Sequence, residues 1–305
     1  MTGTILVTGA LGNAGWKLTS HLARQSHADR VVGVDVVPPT PDHLGSLEQC
    51  ARERSGPGPA VELRQADLTD WDDPRWREPA AQARAVVHLA AQNPRPEATW
   101  SDAVASLDMT ANLLAAAADN ERLRRLVFVS SSHVMGGYLK ETLGPGQLGT
   151  DFEPRVGTVW RAGSRPMNAT AYAVPKLAGE RMCRTLARRS AGRCTAVSLR
   201  IGWVQVGENV PETLSVAGTP SMEPVRGAEA DPEVARAAQW FRELWLSNRD
   251  YTRLMDRALE ADGTGWPDGF VVVNAMSRNP GLRWSLEEAR RWLQWEPKDG
   301  IVDPR

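Results

Sequence analysis

Tyr172 and Lys176 stand four residues apart in a stretch with helical character that continues to about Arg189, so both side chains share one helix face. The chain holds only three tyrosines and four lysines, and the pairing therefore carries information. An ammonium beside a phenol favours the phenolate. Lowering a tyrosine pKa from about 10 towards 7 takes roughly 4 kcal/mol, which Lys176 and a bound cofactor are expected to supply together. Tyr172 then serves as a general base towards a hydroxyl group. Ser130-Ser131-Ser132-His133 follows the apolar run Leu126 to Val129. A serine at that place holds the reacting oxygen while the proton goes to Tyr172 and a hydride leaves the same carbon.

A hydride needs an acceptor, and the N-terminus offers a seat for one. Ile5, Leu6 and Val7 read as a strand buried on both faces; Gly9, Gly12 and Gly15 follow, and a helix from Trp16 to Arg24 comes next. Glycines so spaced let the backbone turn sharply and let a pyrophosphate approach main-chain N–H groups at the helix N-terminus. Leu11 and Asn13 lie inside this turn and are counted with it as cofactor contacts. Val31 to Val34 forms a second strand ending in Asp35, about 20 residues past the last glycine, where a carboxylate accepts bonds from ribose hydroxyls and repels a 2'-phosphate. The expected cofactor is NAD rather than NADP.

The remaining elements have to bring these two groups together. Residues 38 to 60 read as a surface excursion, Val61 to Leu63 as a third strand, and Ala85 to Leu89 as a fourth. The small residues after it let the chain pass close to a cofactor, so Leu89, Ala90 and Ala91 join the cofactor contacts and Gln92 the substrate side. His88, inside the strand, reads as a hydrogen-bonded core histidine. Ser101 to Asn120 is a long helix. Strands at Leu126 to Val129, Thr195 to Leu199 and Phe270 to Asn274 alternate with helices at 234–246, 250–261 and 285–295. The pattern predicts an α/β fold, a Rossmann-type doubly wound parallel sheet with a smaller C-terminal substrate lobe. Residues 1–200, with the strand near 270–274, form the NAD-binding domain; residues 201–305 are mainly the substrate lobe, and the long 138–170 loop contributes to the pocket. Residues 204–235 are irregular.

Over 305 residues the formal net charge is −1 with interspersed signs, which excludes a basic surface for nucleic acid or membrane and leaves a small-molecule substrate. No apolar stretch approaches the roughly 20 residues of a membrane helix, and a soluble, cytoplasmic protein is expected. Three cysteines without metal-ligand spacing read as free buried thiols, no metal is expected, and the twelve tryptophans read as packing residues.

Together these residues resemble the extended short-chain dehydrogenase/reductase superfamily, that of nucleotide-sugar epimerases and dehydratases, over essentially the whole chain. The resemblance implies cofactor contacts from Gly9, Gly12, Gly15, Asp35, Asp67 and Leu68 as well as Tyr172 and Lys176. It makes Ser131, Tyr172 and Lys176 catalytic and gives Asn112 a part in the catalytic set. Ser131 is chosen over its neighbours because Val134-Met135-Gly136 aligns with the family's Val-Tyr-Gly. Relatives pair the helices at 101–120 and 172–189 across a two-fold axis, which implies a homodimer. Within the superfamily, Ser130 to Gly136 is similar to the uronate dehydrogenases, whose segment reads Ser-Ser-Asn-His, and so are Trp245 to Asp250 and Trp295 to Asp299. That group oxidises C1 of a sugar acid to a lactone with NAD. Ser131, Ser132, His133, Trp203 and Arg242 are then expected on the sugar, with Arg165 a second candidate for an acid group. Ser132 stands for the group's asparagine, Trp203 for a serine, the loop before Tyr172 is about 15 residues longer, and Pro175 fits only near a helix start. An epimerase would use the same Ser131, Tyr172 and Lys176 without net NADH, and a non-catalytic dinucleotide sensor shares the fold without needing Tyr172 and Lys176 together. A dehydratase is set aside, since Ser132-His133 stands where its Asp-Glu belongs.

Overall fold

The computed structural model describes residues 3–25, 28–54, 56–92, 95, 97–162, 164–216 and 231–302. The N-terminal apolar run is β1 (Thr4–Thr8), and its side chains alternate between faces: Ile5 and Val7 enter one buried cluster and Leu6 another. Six further strands share its sheet: β2 (Arg30–Asp35), β3 (Ala60–Gln65), β4 (Ala85–His88), β5 (Arg125–Ser131), β8 (Thr195–Ile201) and β9 (Phe270–Ala275). All pair in parallel in the order β3-β2-β1-β4-β5-β8-β9. The strand order reverses between β1 and β4, which opens a crevice at their carboxyl ends.

Helices cover both faces, as a fully parallel sheet requires. Leu18 and Leu22 of α1 (Asn13–Arg24), Leu254 and Met255 of α7 (Asn248–Glu260) and Leu293 of α8 (Glu287–Leu293) pack on the Ile5 face. Trp76 of α3 (Pro74–Gln82), Leu113 of α4 (Trp100–Ala118) and Cys183 of α5 (Thr170–Arg189) pack on the Leu6 face. Of residues 201–305, then, α7, β9 and α8 lie with the sheet. A third cluster joins Val134 and Met135 to Trp240 and Phe241 of α6 (Pro232–Glu243) and to a hairpin of β6 (Val159–Ala162) and β7 (Arg165–Asn168). Trp76, Trp240, Trp284 and Trp295 are fully buried, and all three cysteines are free and buried.

Two stretches carry more structure than their composition suggests. Residues 38 to 60, expected as an excursion, contain the helix α2 (Pro41–Glu53). Pro41 occupies the first turn, where a missing N–H costs nothing, and Thr40 and His43 cap it reciprocally. The 138–170 stretch holds the β6–β7 hairpin, preceded by a 3-10 segment at Ser132–Lys140. Residues 217–230 of the irregular 204–235 stretch lie outside the described residues. The Trp245–Asp250 and Trp295–Asp299 segments prove to be one brace: the buried Asp250 carboxylate accepts the Lys298 and Asp299 amides and the Ser277 hydroxyl, and Ser247 donates to Asp299. Among the described residues no helix is long and apolar enough to cross a membrane.

Candidate active site

Gly9, Gly12 and Gly15 shape the turn between β1 and α1. Gly9 sits at φ +69, open to glycine and costly for other residues. A Cβ on Gly15 would collide with the Gly9 carbonyl, so α1 starts as close to the strand end as the backbone permits. Gly12 caps α1 with no side chain, leaving the helix N-terminus open to an anion. At the end of β2 the Asp35 carboxylate accepts the amides of Leu11 at 2.9 Å and Val37 at 3.1 Å. A carboxylate has about four acceptor sites, so both oxygens retain capacity for ribose hydroxyls. The open helix end and this carboxylate fit a dinucleotide. Asn13 stands at the turn with its side chain bonded to the Val204 carbonyl, and the Leu89 amide follows β1 by bonding Thr8. Ala90 approaches Gly9 so closely that only a glycine fits opposite it, while Ala91 is half-buried and Gln92 exposed, its amide donating to Ser106.

Asn112 is not brought to the reacting groups. Its amide donates to the carbonyls of Leu68 at 2.9 Å and Thr69 at 3.2 Å, so it ties α4 to the turn after β3 that carries Asp67 and Leu68. Its side chain braces that turn.

Ser131, Tyr172 and Lys176 do meet. Ser131 is the last residue of β5, and its side chain comes close enough to Tyr172, in the first turn of α5, to favour the phenolate. Lys176, one turn on, is buried and donates from Nζ to the Val129 carbonyl at 2.9 Å, with Nζ 5.9 Å from the centre of the Tyr172 ring. The protein alone does not supply the stabilisation that the phenolate needs. Burial pushes the Tyr172 phenol up to about 12, only partly opposed by Ser131, and burial pushes Lys176 down to about 8. Lys176 gives one of its three donors to Val129, and burial by itself keeps Tyr172 protonated. α5 begins at Thr170, which puts Pro175 in the second turn rather than the first. It thereby removes the bond to the Ala171 carbonyl and loosens the turn that bears Tyr172.

Behind the set, His88 is fully buried. Thr110 spends its proton on the Ser106 carbonyl, so His88 Nε2 donates to Thr110 at 3.0 Å and Nδ1 accepts from Thr8 at 2.7 Å. One neutral tautomer satisfies every group, and burial holds the ring down to about 3.

On the open side, His133 Nδ1 bonds Thr158 Oγ1 at 2.7 Å, and its ring stacks on Trp160 (6.1 Å, 10°) and meets Tyr172 edge-on at 6.0 Å. Phe241 stands 6.5 Å from His133 and 5.1 Å from Trp203, and Ser132 is buried beside them in sequence. Burial lowers His133 to about 4, so it is a neutral partner at ordinary pH. Arg242 lies next along α6 and lines, with Phe241, Leu214 and Val216, a cavity of about 370 Å³. Arg165 is taken up at the surface by Glu97. Among the described residues no group of three or more His, Cys, Asp or Glu side chains is placed to hold a metal.

The NAD dependent epimerase/dehydratase family model matches residues 5–213. The chain belongs to that family. An L-arabinose 1-dehydrogenase (NAD(P)(+)) of Haloferax volcanii is 31% identical over 298 residues, 97% of this chain and 96% of the relative. An NAD-dependent glucose-6-phosphate dehydrogenase of the same organism is 28% identical over 246 residues, 80% of this chain and 78% of the relative. Among solved structures, a mutated uronate dehydrogenase superposes with a TM-score of 0.65 at 21% identity, covering 98% of this chain and 83% of that one. A Bacillus cereus UDP-glucuronic acid 4-epimerase mutant superposes at 0.62 with 20% identity, covering 97% and 94%. The family is NAD-dependent, and the cradle at Gly9 to Gly15 with Asp35 fits that cofactor.

Thr158, Trp160 and Phe241 escaped the sequence reading because they come from distant segments with no motif of their own. Glu180, bonded to Ser130 and Arg200 in the core, had a usable signal in its position four residues past Lys176.

The buried His88 and the half-buried His133 both bear on stability. In the unfolded chain they protonate below about pH 6.5, whereas in the fold they stay neutral down to about 3 and about 4. The unfolded state therefore binds more protons, and stability is complete above about 6.5 and falls as the pH drops, His88 alone adding about 1.4 kcal/mol per pH unit. Urea unfolding between pH 6.5 and 5 should show this slope, and a flat profile would mean that neither ring is held neutral.

Proposed function

We propose that this chain is an NAD-dependent sugar dehydrogenase that oxidises a hydroxyl, at C1 of an aldose or uronate, to a lactone. The observation that carries the reading is the meeting of Ser131, Tyr172 and Lys176 at the carboxyl end of β5, beside the NAD cradle. Bound NAD supplies the hydride acceptor. Ser131 holds the oxygen of the C1 hydroxyl, Tyr172 takes its proton, and the buried Lys176 cation favours the phenolate once a ligand covers the pocket. His133, clamped by Thr158 and Trp160, meets a second hydroxyl of the sugar as a neutral hydrogen-bonding group. The lobe of α6 and the β6–β7 hairpin, with Trp203 and Arg242, closes the pocket. Asp35 faces the adenosine ribose and disfavours NADP. The extent of identity with the arabinose dehydrogenase favours net oxidation over epimerisation.

The reading includes a cytoplasmic homodimer. The three thiols are free, as in a reducing compartment. Trp100, Val104 and Leu107 are exposed along one stripe of α4, beside Val174 on α5, and a second copy related by a two-fold axis covers them.

Two experiments bear on this. Tyr172→Phe should leave NAD binding intact and lower turnover at least about a hundredfold on the sugars the parent oxidises; near-normal turnover removes Tyr172 from the chemistry. Light scattering should give a dimer at micromolar concentration that Val104→Glu converts to monomer, and a monomeric parent contradicts the assembly.

A further inference from the structure

Three successive residues at the end of β5 each hold a different residue of α5. The Val129 carbonyl takes Lys176, the Ser130 hydroxyl donates to Glu180 Oε1 at 2.6 Å, and Ser131 faces Tyr172 closely enough to lower its phenol. Glu180 is also gripped from the far side by Arg200 of β8, through Nε to Oε1 at 2.9 Å and Nη2 to Oε2 at 2.8 Å. Arg200 pairs with Ser130 in the sheet register, and its third nitrogen reaches the Met135 sulfur at 3.2 Å, in the segment that carries His133. Glu180, Arg200 and Ser130 are each at most 4% exposed. Gly179 lies so close to the Phe128 ring that any side chain there would collide with it. α5 is thus pinned about two turns past Tyr172.

We propose that the buried Ser130–Glu180–Arg200 group is a positioning device for the reacting set: it fixes the height of α5 against β5 so that Tyr172 stays opposite Ser131. The three residues touch no substrate. A charge pair serving stability alone is replaceable by neutral groups of similar size, because removing both charges together strands neither. The same replacement releases the helix, and a shift of about 1 Å at the base is enough to cost a large part of turnover. The proposal rests on Ser131, Tyr172 and Lys176 being the reacting set, and its test includes a reading that needs no sugar.

In full-length protein carrying [13Cζ]tyrosine, the three tyrosine signals are separable by Tyr172→Phe, and the Tyr172 signal reports its place opposite Ser131. Glu180→Gln/Arg200→Met should move that signal while Tyr138 and Tyr251 stay in place, and should retain the parental melting temperature and NAD affinity. On a sugar that the parent oxidises, kcat should fall at least about tenfold with KM within about twofold, and the acid limb of the kcat–pH profile should move to higher pH. Ser130→Ala, which leaves the charge pair in place, should move the same signal and lower kcat to a smaller extent, and it decides the matter if the double variant does not fold. An unmoved Tyr172 signal with parental kcat overturns the positioning role. If the parent oxidises no sugar, the dehydrogenase reading falls, and the Tyr172 signal still decides this one.

Discussion

A lysine that is to assist a phenol in a dry site must itself be buried, and a buried ammonium needs an oxygen. Here the oxygen is the Val129 carbonyl at 2.9 Å. Much else depends on that bond. It requires α5 to lie directly against the end of β5, and so requires glycine at 179 opposite Phe128. It places Tyr172, one turn earlier, near Ser131, while burial depresses the lysine to about 8. The phenol next to it is pushed the other way by the same burial. The protein alone therefore presents Tyr172 as a neutral phenol next to Ser131, and under the proposed mechanism a bound ligand completes the charge that makes it a base.

The cofactor side solves a different problem, that of bringing backbone N–H groups to an anion. Gly9 and Gly15 do this by letting a carbonyl and a helix start share a space that a methyl group would fill. Asp35 then reaches across from β2 to the Leu11 amide, so that the residue proposed to face the ribose also braces the turn. Asn112 and the Leu68–Thr69 carbonyls hold the neighbouring turn in the same manner.

Much of this was legible in the sequence because it is local. The β1–glycine–α1 unit, the carboxylate closing β2 and the Tyr172–Lys176 spacing each depend on residues within one turn or one strand, and the parallel sheet follows from the alternation of buried runs with helices. What was not legible is tertiary. No periodicity shows that Thr158 and Trp160 from a hairpin, and Phe241 from α6, enclose His133. The i,i+4 rule identifies neighbours but not their dielectric, so the burial that pushes the Tyr172 phenol up in the protein alone was not legible. The helix α2 was hidden by the prolines that begin it. Asn112 was assigned to the correct helix, but the loop its side chain meets is set by the packing of α4 on the sheet.

The central claim is that this site removes a hydride from C1 of a sugar and gives it to NAD for good. Incubation with NAD of aldoses and uronates carrying deuterium at C1 tests it most directly. The account predicts deuterium in the reduced nicotinamide, one equivalent per lactone formed, from at least one of these sugars. Label that stays with the sugar, in a changed configuration and without net NADH, would contradict it and make the site an epimerase.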